Sequence, residues 1–115
     1  MSNVAAAAQM SEVELQDTVR KMCDALGLVV RHVRDERGNW VTGWPDLDIL
    51  GPHGIIWREL KSMRGQLTPD QRRVGSLMTR AGLDWAVWRP VDLLDGTIAR
   101  QLTAISNSPI GRHIS

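Results

Sequence analysis

The stretch that most constrains the fold spans residues 43–61 and reads GWPDLDILGPHGIIWRELK. It contains two apolar runs, at residues 47–50 and 54–60, joined by the four residues GPHG. Glycine and proline in this joint indicate a turn, and the large apolar residues on both sides indicate strands. The stretch therefore predicts a pair of strands, and the rest of the chain has to pack around it.

Three charged residues stand at the open end of this strand pair. Asp46 follows Pro45 at the start of the first strand, and Glu59 and Lys61 close the second. Strand side chains alternate between faces, so Glu59 and Lys61 point the same way while Leu60 points into the other layer. The pairing predicts two carboxylates and one ammonium at a single place, which is a site for a divalent metal with a positive charge beside it.

Metal chemistry explains why these residue types belong together. Mg²⁺ takes oxygen ligands and is usually held by one or two carboxylates plus waters and substrate phosphate, so Asp46, Glu59 and the backbone carbonyl of Leu60 are candidate ligands. Lys61 can orient or deprotonate an attacking water, or stabilise a pentavalent phosphorus. The alternative is a surface ion pair between Glu59 and Lys61, which is the commoner meaning of an isolated E-x-K in a strand.

The first predicted helix brings another carboxylate toward this site. Ser11 is its N-cap and Glu14 completes a capping box. At 100° per residue, Glu12 lies in the middle of the apolar stripe and Glu14 lies nearly opposite. An inward carboxylate needs a cation, and a metal or Lys61 would serve. The alternative is that Glu12 only complements the helix dipole. The stripe consists of Leu15, Val19, Met22, Cys23 and Leu26.

The helix after the strand pair has a full set of start signals. Thr68 is the N-cap, Pro69 takes the first position, and Gln71 completes a second capping box. Gln71 is also in phase with Val74 and Met78 on the buried face, so it can point toward the site. Capping alone explains Gln71 equally well, and the two roles compete for one side chain.

Positive charge is concentrated in residues 57–80. The stretch has six basic residues against two acidic ones, a net charge of +4, although the whole chain carries only +1. A basic patch beside a carboxylate pair suits a polyanionic substrate. The predicted DNA-binding residues are Arg58, Arg64, Arg72 and Arg73; Arg80 is more simply a solvated helix residue. In the polar loop of residues 35–42 and the corner after it, Trp40 or Trp44 can stack on a base or simply cover the edge of the core.

Length and cysteine content exclude several classes of protein. With 115 residues the chain is one small domain, and its single cysteine, Cys23, excludes an internal disulfide framework or a cysteine-based zinc cluster. Residues 1–10 have no basic leader and are expected to be a disordered lead, and residues 106–115 a loose tail. A cytoplasmic location, in a bacterium or a phage-infected host, is expected.

The predicted order of elements is helix, strand, strand, strand, helix, strand, helix. With the motifs PD and ExK, and with ELKS followed closely by LTPDQ and then VWRP, the chain resembles the PD-(D/E)XK nuclease superfamily. Within it, the chain is similar to the small stand-alone VRR-NUC domains of phages and bacteria, over residues 11–105. The resemblance implies an α/β domain with a restriction-endonuclease-like mixed central sheet flanked by helices, in αβββαβα order.

The resemblance also implies an activity and a set of site residues. It implies an endonuclease that uses Mg²⁺ or Mn²⁺ to hydrolyse DNA, with Asp46 and Glu59 as ligands and Lys61 as catalytic base or charge stabiliser. Glu12 and Gln71 complete the implied site. Asp48 departs from the usual apolar residue and can be an outer ligand or can bind a basic neighbour.

The expected substrate is branched or junction DNA, because a chain of this size has no room for a separate sequence-reading domain. A homodimer is expected, since symmetric cutting of a four-way junction needs two active sites. Two rivals remain open, namely a non-catalytic DNA-binding or structural module with the same fold, and a sequence-specific restriction-type nuclease.

Overall fold

A computed structural model describes residues 2–33 and 41–106. The elements within these ranges are α1 (Ser2–Gln9), α2 (Glu12–Ala25), β1 (Val29–His32), β2 (Leu47–Gly51), β3 (Gly54–Leu60), α3 (Pro69–Arg80), β4 (Trp85–Trp88), α4 (Pro90–Leu94) and α5 (Thr97–Ser106). None of the helices in these ranges is long and apolar enough to cross a membrane.

The four strands form one mixed sheet in the order β1-β2-β3-β4. The first two pairings are antiparallel, and β3 pairs with β4 in parallel. A parallel neighbour needs a crossover connection, which α3 supplies between β3 and β4. The predicted α/β class with a mixed central sheet flanked by helices is therefore confirmed.

The two faces of the sheet have different partners. Leu47, Ile49, Ile56 and Leu60 share one face and are buried against α2 and α5. This side is the hydrophobic core, and Trp88, Leu15, Val19, Cys23, Ile98 and Leu102 complete it. The opposite face carries the charged ends of the strand pair, and α3 lies over it. Glu59 of β3 and Gln71 of α3 consequently meet between the sheet and α3, on the face opposite the main core.

Both helix starts that the sequence predicts are present. Ser11 caps α2 in a reciprocal box with Glu14, and Thr68 caps α3 in a reciprocal box with Gln71. Each box satisfies backbone N–H groups that the first turn of a helix leaves without partners. These caps fix where α2 and α3 begin, and hence where Glu12 and Gln71 stand.

The prediction of a disordered lead over residues 1–10 is wrong. Residues 2–9 form α1, which packs near α4, and Ala7 is only 6% exposed. The reason is the alanine run, because alanine has the highest intrinsic helix propensity and its small side chain allows close packing. Residue 1, residues 34–40 with most of the predicted loop over 35–42, and residues 107–115 of the predicted tail over 106–115 lie outside the described residues.

A single last helix is also a wrong prediction, since α4 and α5 are separate. Gly96 adopts φ +82°, in the left-handed region, and breaks the continuous helical pattern. The Asp95 side chain accepts a hydrogen bond from the Thr97 N–H at 2.9 Å, and so starts the next helix. The helix therefore ends at this short polar segment, although the apolar periodicity continues across it.

Gly43 sets the corner that leads into Asp46. Its φ is +91°, and a Cβ at this position would overlap the backbone of Asp70 in α3. Gly27 also has a positive φ, of +72°, but open space surrounds its Cβ position. An alanine at position 27 would have the same unfavourable positive φ without the steric overlap, so Gly27→Ala is a matched control.

We expect Gly43→Ala to lower the free energy of unfolding by about 2–4 kcal/mol, and Gly27→Ala by about 1 kcal/mol. Urea denaturation of both variants measures the difference. Equal losses would show that the close approach of Gly43 to α3 contributes nothing to stability.

Candidate active site

Asp46 is tied to the end of β3 by the backbone. Its Oδ2 accepts a hydrogen bond from the Leu60 N–H at 2.8 Å. Asp46 stands just before β2, which pairs with β3 in an antiparallel arrangement. The start of β2 therefore lies beside the end of β3, where Glu59 and Lys61 stand. The structure therefore brings together the two carboxylates and the ammonium that the sequence places on one face.

Glu59 is almost completely buried. It is 2% exposed, and its Oε2 accepts a hydrogen bond from Gln71 Nε2 at 2.9 Å. Lys61 is 8% exposed, and its Nζ lies 3.8 Å from the same oxygen. The other oxygen, Oε1, is buried and has no hydrogen-bond partner within the described ranges. An unpartnered buried carboxylate oxygen is costly unless a proton or cation meets it.

Burial is the largest cause that raises the pKa of Glu59, to about 8, and the neighbouring Asp46 carboxyl raises it further. Lys61 acts in the opposite direction, and Glu12 adds a smaller upward contribution. The raised pKa of Glu59 means that the site without a cation favours a bound proton at neutral pH. Strongly perturbed carboxyls in a cleft are typical of functional sites.

Gln71 fills both roles that the sequence left in competition. Its Oε1 accepts a hydrogen bond from the Thr68 N–H at 2.9 Å, and its Nε2 donates to Glu59 at 2.9 Å. A carboxamide has an acceptor end and a donor end, so one side chain serves cap and site together. The cap thereby orients the amide that holds Glu59.

The two acidic residues at the start of α2 take separate roles, one in the cap and one near the candidate site. Glu14 is exposed and its Oε1 accepts a hydrogen bond from the Ser11 N–H at 2.9 Å, so the capping box uses it. Glu12 is half-buried, and its Oε2 lies 3.5 Å from where a Cβ on Gly65 would stand, in the turn after Lys61. The placement of Glu12 beside the carboxylate pair agrees with its predicted helical phase.

The carboxylate pair fits a divalent metal with few protein ligands. Within the described parts of the chain, no group of three or more His, Cys, Asp or Glu residues gathers to hold an ion by itself. Mg²⁺ needs only one or two carboxylates because it keeps several waters. The unpartnered Glu59 Oε1 and the raised pKa of Glu59 are what a cation between Asp46 and Glu59 would relieve.

Asp48 binds a basic neighbour, which was one of its two possible roles. Its Oδ2 accepts a hydrogen bond from Arg31 Nε at 3.0 Å, and Arg31 Nη2 forms an ion pair with the same oxygen. Arg31 stands opposite Asp48 in the pairing of β1 with β2. Asp48 is therefore already neutralised on the strand next to the site.

Arg58 is wrongly predicted as a DNA-binding residue, because it is 2% exposed. Its Nη2 donates to Asp84 Oδ1 and to Gln101 Oε1, both at 2.9 Å. The guanidinium also lies over the Trp88 ring, 5.1 Å from its centroid. Arg58 is one residue out of phase with Glu59, so it points to the core face and connects β3 with β4 and α5.

We expect Arg58→Met to lower the free energy of unfolding by about 2–4 kcal/mol, because Gln101 and Trp88 lose a buried partner. DNA affinity of the folded variant should be unchanged. Thermal denaturation and fluorescence anisotropy measure the two quantities, with exposed Arg72→Met as the matched control. Weaker DNA binding by folded Arg58→Met than by Arg72→Met would show that Arg58 contributes to DNA binding.

The other three predicted DNA-binding residues, Arg64, Arg72 and Arg73, are exposed. Arg64 lies in the turn after Lys61, and Arg72 and Arg73 lie in the first half of α3. Arg73 Nε approaches Asp70 Oδ1 at 4.0 Å, a weak helical pair that leaves the guanidinium accessible. These arginines remain available to an anionic partner.

Sequence reasoning missed Arg89, which holds the turn after Lys61. Its Nη1 donates to the carbonyls of Ser62 and Gly65, each at 2.7 Å. The partners lie more than twenty residues away in the chain, so no local pattern announces them. Arg89 thereby fixes the segment that lies beside Lys61 and Glu12.

Comparison with known proteins supports what the geometry indicates. No family model matches the chain, and no curated protein matches it either. A solved structure described as "VRR_NUC domain" matches with a TM-score of 0.61 and 25% sequence identity, over 75% of this chain and 92% of the other. The chain is therefore similar to a VRR-NUC domain in fold and in sequence. The resemblance on motifs is thus confirmed, and the likeness supports a nuclease-type function at the level of the family.

Proposed function

We propose that this VRR-NUC-like domain is a Mg²⁺- or Mn²⁺-dependent endonuclease that hydrolyses phosphodiester bonds of DNA. The observation that carries the proposal is the pairing of Asp46 and Glu59 beside Lys61, with one buried Glu59 oxygen unpartnered among the described residues. A structural ion pair would not need a second, repelling carboxylate at the same place.

The proposed metal ligands are Asp46, Glu59 and the backbone carbonyl of Leu60. A bound Mg²⁺ or Mn²⁺ would supply a water of lowered pKa and offset charge on the phosphodiester. Gln71 holds the Glu59 carboxylate in place, and the Leu60 N–H holds Asp46. Both carboxylates are therefore oriented before substrate arrives, which is what preorganised catalysis requires.

Lys61 is the residue that meets the reacting phosphate in this proposal. Its ammonium lies on the same face as Glu59, and β4 fixes its backbone, because the Lys61 N–H donates to the Trp88 carbonyl at 3.0 Å. From there Lys61 either accepts a proton from the attacking water as the neutral amine, or stabilises the negative charge around phosphorus as the ammonium. Glu12, at the first turn of α2, adds a carboxylate that can orient water or the ammonium.

Arg64, Arg72 and Arg73 are the proposed contacts to DNA phosphates. They are exposed on the turn and helix that border the candidate site, and phosphate contacts position a duplex without reading its sequence. We further propose that the substrate is branched or structured DNA, in the cytoplasm of a bacterium or phage-infected host. The expectation of a homodimer stays a prediction, which sedimentation velocity tests.

Cleavage of labelled duplex, flap, splayed-arm and four-way-junction DNA tests the activity, with Mg²⁺, Mn²⁺ or EDTA. We expect metal-dependent cutting that is strongest on the branched substrates. In calorimetry, Asp46→Asn should lose Mn²⁺ binding, whereas Asp17→Asn, an exposed partner of Lys21 on α2, should keep it.

Two results would contradict this proposal in different ways. Binding of DNA without cutting under any metal condition would identify a non-catalytic module. A ladder of discrete bands from plain duplex DNA would identify a sequence-specific restriction-type nuclease.

A further inference from the structure

A cavity of about 210 Å³ opens beside Asp46 at the corner between β1, β2 and α3. Its lining includes Trp44, which is 39% exposed, and Gln71, whose amide holds Glu59. The wall also includes Val33, Val41, Thr42 and Thr68. The cavity therefore shares two of its lining residues with the candidate site.

The chemistry of the lining favours a flat, neutral group over a phosphate. No arginine or lysine is among the lining residues that the structure describes, and Asp46 would repel an anion. Trp44 and the valines offer apolar surface, and the hydroxyls of Thr42 and Thr68 offer polar contacts at the edge. The volume is that of about seven waters at ~30 Å³ each, enough for one heterocycle and too small for a base pair.

We propose that this cavity binds the base of an unpaired nucleotide next to the scissile phosphate, with Trp44 stacking on the base. The position of the phosphate at Asp46 rests on the proposed nuclease function, whereas the affinity of the cavity for a base does not. Stacking on aromatic side chains is tolerant of base identity, because every base has a π-face. The cavity thus selects for an unpaired base without selecting a sequence.

A preference for branched DNA follows from this pocket. A base inside a duplex must break its pairing and stacking to enter, at a cost of a few kcal/mol, which a base already unpaired avoids. Strand ends, flaps and junction arms present such bases next to duplex. The cavity therefore supplies a physical reason for structure selectivity that the exposed arginines, which contact any phosphate, cannot supply.

The test uses DNA that carries 2-aminopurine, a fluorescent base that stacking quenches, either unpaired at a branch or paired inside a duplex. Titrations contain EDTA, so that binding is measured without cleavage. We expect the wild type to quench the unpaired probe several-fold and the paired probe hardly at all. Trp44→Ala should lose the quenching and bind the branched DNA about 5–100-fold more weakly.

Three further variants keep the test informative. Trp44→Phe retains an aromatic face and should retain most of the quenching. Val41→Met adds volume to the cavity without a ring and should reduce quenching even if Trp44→Ala folds poorly. Trp57→Ala removes a half-buried indole that does not line the cavity, and should leave quenching unchanged at temperatures where it is folded.

The base pocket and the nuclease can fail separately. Metal-dependent cleavage by a wild type that quenches neither probe would overturn the pocket and leave the nuclease intact. Quenching that depends on Trp44, without cleavage under any metal condition, would support the pocket and overturn the nuclease. Equal quenching by wild type and Trp44→Ala would also overturn the pocket.

Discussion

Replacement of Lys61 by alanine will lower the rate of metal-dependent cleavage by about 10²–10⁴-fold while the domain stays folded. The reason is position, because Lys61 is 8% exposed and its ammonium lies 3.8 Å from Glu59 Oε2 on the same face of the sheet. Single-turnover cleavage of branched DNA measures the loss. Lys21→Ala is the matched control, since Lys21 is exposed on α2 and should be replaceable without effect.

Lys61→Arg separates the two chemical roles of this residue. Arginine keeps the positive charge but cannot release its proton in a protein, so it can stabilise a phosphorane and cannot act as a base. Partial activity in Lys61→Arg would identify a charge stabiliser, and activity as low as in Lys61→Ala would favour the base. Cleavage by Lys61→Ala at the wild-type rate would remove Lys61 from the mechanism. Calorimetry with Mn²⁺ checks that each variant still binds metal.

Glu59→Gln will make the metal-free domain more stable at pH 8–9 while it destroys metal binding and cleavage. Burial raises the pKa of Glu59 to about 8 in the folded chain, above its ordinary value of 4.5. The folded state therefore binds the proton more tightly than the unfolded state, so wild-type stability is greatest below pH 4.5 as far as Glu59 is concerned. It falls as pH rises toward 8, and the loss is complete above that value.

Urea denaturation in EDTA at pH 5, 7 and 9 measures this effect for wild type and Glu59→Gln. The difference between the two proteins should grow with pH to a few kcal/mol, because contributions from groups that both proteins share cancel in the comparison. Glutamine can still accept the hydrogen bond from Gln71, so the contact survives the substitution. A difference that does not change with pH would show that Glu59 titrates normally.

Local signals predicted the elements that carry the site. The caps at Ser11 and Thr68 involve residues three positions apart, and strand alternation involves neighbours, so both can be read without knowing the fold. Glu59 and Lys61 could therefore be placed on one face, and Glu12 could be preferred to Glu14 by phase alone. The break at Gly96 was also local, but continuous apolar periodicity from α4 into α5 concealed it.

Residues whose partners are distant in sequence could not be predicted in the same way. Arg58 meets Asp84 and Gln101, which are 26 and 43 residues further along the chain. Alternation already put Arg58 on the face opposite Glu59, but a charge count over residues 57–80 ignores faces. For Arg89, only the finished fold shows that a guanidinium next to Pro90 reaches the turn after Lys61. Contacts between residues that are distant in sequence leave no signal in the hydrophobic periodicity.

The parallel pairing of β3 with β4 determines when the candidate site can form during synthesis of the chain. Every candidate metal-binding or catalytic residue precedes position 72, yet the carbonyl that anchors Lys61 belongs to Trp88, and the guanidinium that holds the following turn belongs to Arg89. A nascent chain that has emerged only as far as α3 has the charged residues but lacks the edge strand that fixes them. Synthesis of the last third of the domain thus completes the candidate site.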